Sequence, residues 1–129
     1  MASVIELDLH EWLPGWGENQ VTTRSEGGNF VVDVTFDGKN GNEETRSLVF
    51  SRACFFSVGS FPGVEGVRFD FDYSFETGKL LEIKDSGLSA AWNDHWKSSS
   101  LVRECRHFLL FFGSENKVIH VVAESSEVI

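Results

Sequence analysis

Cys105, His107 and His120 are the residues whose types and spacing come nearest to a chemical centre. Cys105 and His107 are two apart, so on a strand they share a face. A turn at Gly113, Ser114, Glu115 and Asn116 follows. With a loop of two or four residues, antiparallel pairing returns His120 to that same face, opposite Leu109 or Phe111. A thiolate and two imidazoles could hold zinc, with a carboxylate or water as the fourth ligand. That set would suit a metal-dependent enzyme of cupin-like type. The same residues allow a Cys–His nucleophile, which needs an electropositive, partly exposed thiol. Arg103 and Arg106 are close in sequence, but Arg106 points to the opposite face. Leu109, Phe111, Val118 and Val122 share the histidine face, so hydrogen-bonded core histidines and an inert thiol explain the pattern more simply. No Cys-x-x-Cys or His-Glu-x-x-His motif supports a metal, and no cofactor is expected.

Two further groups carry polar or aromatic chemistry. Asp70 and Asp72 share the polar face of a predicted strand, where paired carboxylates could hold calcium or, in differing environments, act as an acid/base couple. Nothing local distinguishes the two, and a solvated face explains them fully. Asp37, Gly38, Lys39, Asn40, Gly41, Asn42 and Glu43 fail the spacing of a calcium loop and read as a hairpin turn. Trp12 and Trp16 flank Pro14 and Gly15 in a loop, which makes them candidate binding residues. Trp92 and Trp96 fall on the apolar stripe of a predicted helix, where core packing is the default. Neither a phosphate-binding glycine loop nor a Gly-x-Ser-x-Gly elbow occurs.

The elements that position these residues are mostly strands. Residues 67–75 alternate Val67, Phe69, Phe71, Tyr73 and Phe75 with Arg68, Asp70, Asp72 and Ser74, the pattern of a half-buried strand. Glu76, Thr77 and Gly78 turn that segment into residues 79–84, predicting a hairpin. Alternation also predicts strands at residues 5–9 and 29–36, with the polar run 22–28 read as an end or a turn. Residues 45–58 predict one long strand, interrupted by Arg52 and apolar on both faces, so central or bent by a bulge. Gly59, Ser60, Phe61, Pro62 and Gly63 close it. Asp85 and Ser86 can cap a helix over residues 86–98, with Leu88, Ala91, Trp92, His95 and Trp96 on one face. A last hairpin joins residues 104–112 to 117–124.

Composition fits that reading. Twelve Phe and four Trp accompany a single Met and a single Tyr, an aromatic β interior, in 129 residues that form one domain, residues 1–129. Eleven Lys and Arg against twenty Asp and Glu give a net charge of −9. Such a surface repels phosphate backbones, which disfavours generic nucleic-acid binding; it favours a basic protein partner, and keeping the domain soluble is the simpler use of the same charge. No apolar run is long enough for a membrane span, and the first residues lack the pattern of a signal peptide. A cytoplasmic location follows, with Cys54 and Cys105 reduced, although a bridge between them stays open.

Asp85-Ser86, the strand Arg106 to Phe112 and the segment Val118 to Glu124 together resemble a pattern in small uncharacterised bacterial β-rich proteins, some of them immunity-like. The resemblance spans about a third of the chain, and the Trp usual soon after the Asp-Ser pair is displaced to Trp92. It implies a β-rich, partner-binding protein without catalytic residues. The expected fold is mainly β, an antiparallel sandwich or partly closed barrel with one short helix. The expected function is a non-enzymatic acidic interaction protein, an immunity-type inhibitor of a basic partner. Alternatives are a small-molecule-binding β-barrel with an aromatic-lined cavity, the cupin-like metal enzyme and, for assembly, a homodimer.

Overall fold

The computed structural model describes residues 3–60, 77–97 and 104–129. These form two antiparallel sheets packed face to face as a sandwich, with one helix. Strands β1 (Ser3–Asp8), β6 (Lys79–Ile83), β7 (Arg106–Phe112), β8 (Lys117–Ala123) and β5 (Phe55–Gly59) make one sheet, in the spatial order β1-β6-β7-β8-β5. Strands β2 (Gln20–Glu26), β3 (Asn29–Asp37), β4 (Glu43–Ser51) and β9 (Ser125–Val128) make the other, in sequential order. The described sheets do not close into a barrel.

The core between the sheets follows from alternation. Val21, Phe30, Val32, Val34, Phe36, Leu48 and Phe50 from one sheet meet Leu80, Phe108, Leu110, Phe112, Ile119 and Val121 from the other. Residues one position out of phase face outward. On the four-stranded sheet that outer face is mostly polar, with Arg24 and Ser47 both bonded to Asp33 beside Val31 and Val49. On the five-stranded sheet it is apolar, and Leu81, Ile83, Leu109 and Val118 form a second buried cluster. That difference explains why β8 has no exposed residue: it is central and covered on both faces.

Several expectations are corrected by this arrangement. The polar run 22–28 lies mostly within β2, an edge strand among the described residues with only Val21 buried; Thr23 and Ser25, in phase with Val21, are exposed like their neighbours, so neither face of the strand calls for apolar side chains beyond Val21. Gly27 and Gly28, both at positive φ, make the two-residue turn into β3. The single strand expected over residues 45–58 is two strands, β4 and β5, divided at Arg52, whose φ is 52°. Opposite that break β8 runs into β9 through Glu124 alone. The two breaks coincide, since Glu124 N donates to Ser51 O and Cys54 N donates to Val122 O. Thus β4–β5 and β8–β9 form one antiparallel ladder that bends from one sheet into the other.

The strand expected over residues 67–75 lies outside the described residues. Its proposed hairpin partner, β6, has β1 on one side and β7 on the other, so both its edges are already paired. Helix α1 spans Gly87–Lys97, within the expected range. Its inner side is narrower than the predicted stripe: Leu88, Trp92 and Trp96 are half-buried, whereas Ala91 and His95 are exposed.

Candidate functional site

The β7–β8 hairpin has a four-residue loop, with Phe112 opposite Lys117, so His120 pairs with Leu109. His107 is then its diagonal neighbour on the outer face, and the two rings meet directly. His107 Nε2 and His120 Nδ1 are 2.9 Å apart. The other side of His107 meets Ser86, whose Oγ lies 2.6 Å from Nδ1. Both histidines are fully buried, and Ser86 is 1% exposed.

Hydrogen-bond accounting orients this chain. Ser86 Oγ already accepts the backbone amides of Leu88 at 3.1 Å and Ser89 at 3.3 Å, which makes Ser86 the N-cap of α1. With both lone pairs engaged, the hydroxyl proton is directed to His107 Nδ1. His107 therefore carries its proton on Nε2 and donates to His120 Nδ1. Both rings are neutral. Burial pushes His107 down to about 3, with the adjacent His120 adding to the effect, and burial alone pushes His120 down to about 4.

Cys105 does not join them. It precedes β7, its backbone N–H and C=O both bond to the side-chain amide of Asn93, and its thiol meets Cys54 at 3.5 Å. Among the described residues no group of three or more His, Cys, Asp or Glu is arranged to hold a metal. The candidate set Cys105, His107 and His120 thus resolves into a buried Ser–His–His chain and a separate thiol pair. The serine hydroxyl is enclosed by its own helix cap, a poor setting for a nucleophile. Asp70 and Asp72 lie outside the described residues.

Trp12 and Trp16 are brought together at the opposite end of β4, around an open cleft of about 740 Å³. A 3₁₀ turn at Leu9–Glu11, capped by Asp8, leads into the loop that holds both indoles. Leu9 and Leu13 anchor this loop in the core. Trp12 is half-buried and fixed as a wall: its ring packs on Phe36 at 5.0 Å, and the Arg46 guanidinium lies 5.7 Å over it. Trp16 is 70% exposed, the most exposed of the large hydrophobic side chains described. Glu11, Asp37 and Glu44 supply carboxylates to the lining, against the cations of Lys39 and Arg46. Beside the cleft, Asp37 stands directly opposite Glu43, a like-charge pair that is unfavourable in a ladder. The Asn19 amide bridges it, donating to Asp37 at 2.8 Å and to Glu43 at 3.5 Å.

A smaller groove of about 330 Å³ runs between α1 and the start of β7. It borders a charge cluster in which Arg106 binds Glu82 at 2.7 Å and Glu6 at 2.8 Å, with Lys84 also on Glu82 at 2.9 Å. The Arg106 hydrogen bond outweighs burial and holds the Glu82 carboxyl below its ordinary range. These charges satisfy one another.

The loop tryptophans were legible as candidates from Pro14 and Gly15 between them. Ser86 as the partner of His107 was not, because capping explains a serine at a helix start completely. Phe36 and Arg46, which hold Trp12, carry no signal beyond strand alternation. Comparison with protein-family models, curated proteins and solved structures finds no match to this chain.

Proposed function

We propose that this protein is a non-enzymatic, acidic interaction protein that receives a basic segment of a protein partner in the Trp12–Trp16 cleft, in the manner of an immunity-type inhibitor. The observation that carries the reading is Trp16, 70% exposed beside a cleft with three carboxylates in its lining. Covering that indole would return roughly 3–4 kcal/mol of apolar transfer free energy. An exposed ring also offers its face to a guanidinium or ammonium group, as Trp12 already does to Arg46. The net charge of −9 adds long-range attraction for a cationic partner. The fixed Trp12 wall keeps the site preformed, which lowers the ordering cost of binding.

Polyarginine and polyglutamate serve as matched probes. Trp16 emission is isolated by subtracting the spectrum of Trp16→Phe from that of the parent protein. The reading predicts a saturable change with polyarginine that weakens as salt is raised, and none with polyglutamate. Equal responses to both polymers, or no response to polyarginine, would contradict it. So would emission that changes only with the protein's own concentration, which would assign the cleft to a second copy.

A further inference from the structure

We propose that Cys54 and Cys105 form a reversible disulfide-forming pair, a modification site independent of the binding cleft. They are 51 positions apart, yet their sulfurs lie 3.5 Å from each other, already within van der Waals contact. A disulfide at about 2.05 Å requires the sulfurs to close by roughly 1.4 Å. Both residues are placed to allow that. Each stands just outside a strand, Cys54 immediately before β5 and Cys105 immediately before β7, so no ladder clamps both sides of either backbone. Packing has therefore brought the chain's only two thiols side by side at the bent corner between the sheets.

Their unequal exposure sets the order of events. Cys54 is half-buried and Cys105 is 3% exposed, so a reagent in solution reaches Cys54 first. With a low-molecular-weight disulfide such as oxidised glutathione as the oxidant, the Cys54 thiolate attacks one sulfur and expels a glutathione thiolate. The Cys105 thiolate then attacks the Cys54 sulfur of the mixed disulfide and expels the second glutathione. The protein loses two protons and two electrons, and one glutathione disulfide becomes two glutathione thiols. The new bond ties the corner at Arg52 and Glu124 to the start of β7 and closes a long loop, which restricts the unfolded chain. The cleft lies at the other end of β4, where Glu44 belongs to its lining, so the bridge leaves it unaltered.

The folded protein is incubated with oxidised glutathione, denatured in a thiol-blocking maleimide and weighed intact. The expected species is monomeric, lighter by two hydrogens, unlabelled, and restored to two labelled thiols by dithiothreitol. Its melting temperature rises by roughly 10 °C over the reduced form. Cys105→Ser stops at a glutathione adduct on Cys54, and Cys54→Ser keeps its remaining thiol. A stable glutathione adduct on the parent protein, a disulfide-linked dimer, or two thiols still labelled after a control dithiol has fully oxidised would overturn the proposal.

Discussion

Ser86 Oγ lies 2.6 Å from His107 Nδ1 while it accepts the amides of Leu88 and Ser89, so one hydroxyl both caps α1 and fixes the tautomer of a buried histidine. Its removal has two consequences at once. Ser86→Ala leaves two helix amides without their acceptor and His107 Nδ1 without its donor. We expect a loss of about 2–4 kcal/mol in urea unfolding, the sum of a cap and a buried unmet acceptor. Ser89→Ala, which removes only a bond to Ser86 O at 3.1 Å, is expected to cost less than about 1 kcal/mol. Equal costs would show that the histidine contact contributes little.

The same buried chain sets an acid limit. His107 and His120 titrate at about 3 and about 4 in the folded protein, against 6.5 for an ordinary imidazole. Between these values the unfolded chain binds protons that the folded chain excludes, so stability rises with pH through this window. It is complete above about pH 6.5 and falls as pH drops towards 4, by up to about 1.4 kcal/mol per pH unit for each histidine. Urea unfolding at successive pH values reads the slope. His120→Gln is expected to reduce that slope by up to one proton, even though the variant is less stable at neutral pH. An unchanged slope would place the acid sensitivity elsewhere, for example at Glu82 and Asp33, whose carboxyls are also held low.

Arg106 links two carboxylates from neighbouring strands, and only one of them is well buried: the Glu82 side chain is 8% exposed and that of Glu6 is 33% exposed. Arg106→Leu leaves Glu82 with Lys84 as its remaining cation. We expect a loss of about 1–3 kcal/mol, less than for a fully enclosed pair because Arg106 itself is partly solvated. Glu6→Gln is expected to cost under about 1 kcal/mol. A double-mutant cycle between Arg106 and Glu82 separates their pairing from the lost packing of Arg106 on Phe108.

Much of the architecture was legible because side-chain alternation is local. Phe30, Val32, Val34 and Phe36 announce β3, and the β7–β8 hairpin shows in the same way. What was not legible is long-range. Thr22 to Glu26 lack the apolar rhythm because both faces of β2 are exposed past Val21. The segment at Arg52 reads as a flaw in one strand, yet only the crossing of β8 into β9 shows why the chain bends there. Register alone puts His107 and His120 on one face. The partners Ser86 and Cys54 come from elements 21 and 51 residues away, and no spacing rule reaches that far.

Arg52 gives that bend a test. Its positive φ is costly for a side chain with a Cβ and most costly for a β-branched one. Arg52→Gly relieves the backbone but loses the ion pair with the half-buried Glu124, two effects of opposite sign that leave stability within about 1 kcal/mol of the parent. Arg52→Val loses the pair and worsens the backbone, and is expected to lie about 1–2 kcal/mol below Arg52→Gly. Thermal or urea unfolding of the two variants makes the comparison, and equal stabilities would contradict the backbone argument.

The central claim, that the Trp12–Trp16 cleft receives a basic protein segment, is tested most directly by site-specific photocrosslinking in the cells that make the protein. A benzophenone amino acid replaces Lys39, in the cleft lining, and in a control replaces Glu127 on the far sheet face. The account predicts a cross-link from position 39 to a cationic protein, weakened when the lysate is irradiated at raised salt, lost on Trp16→Ala, and absent from position 127. Cross-links indifferent to Trp16→Ala, or formed only with acidic partners or nucleic acid, would contradict it.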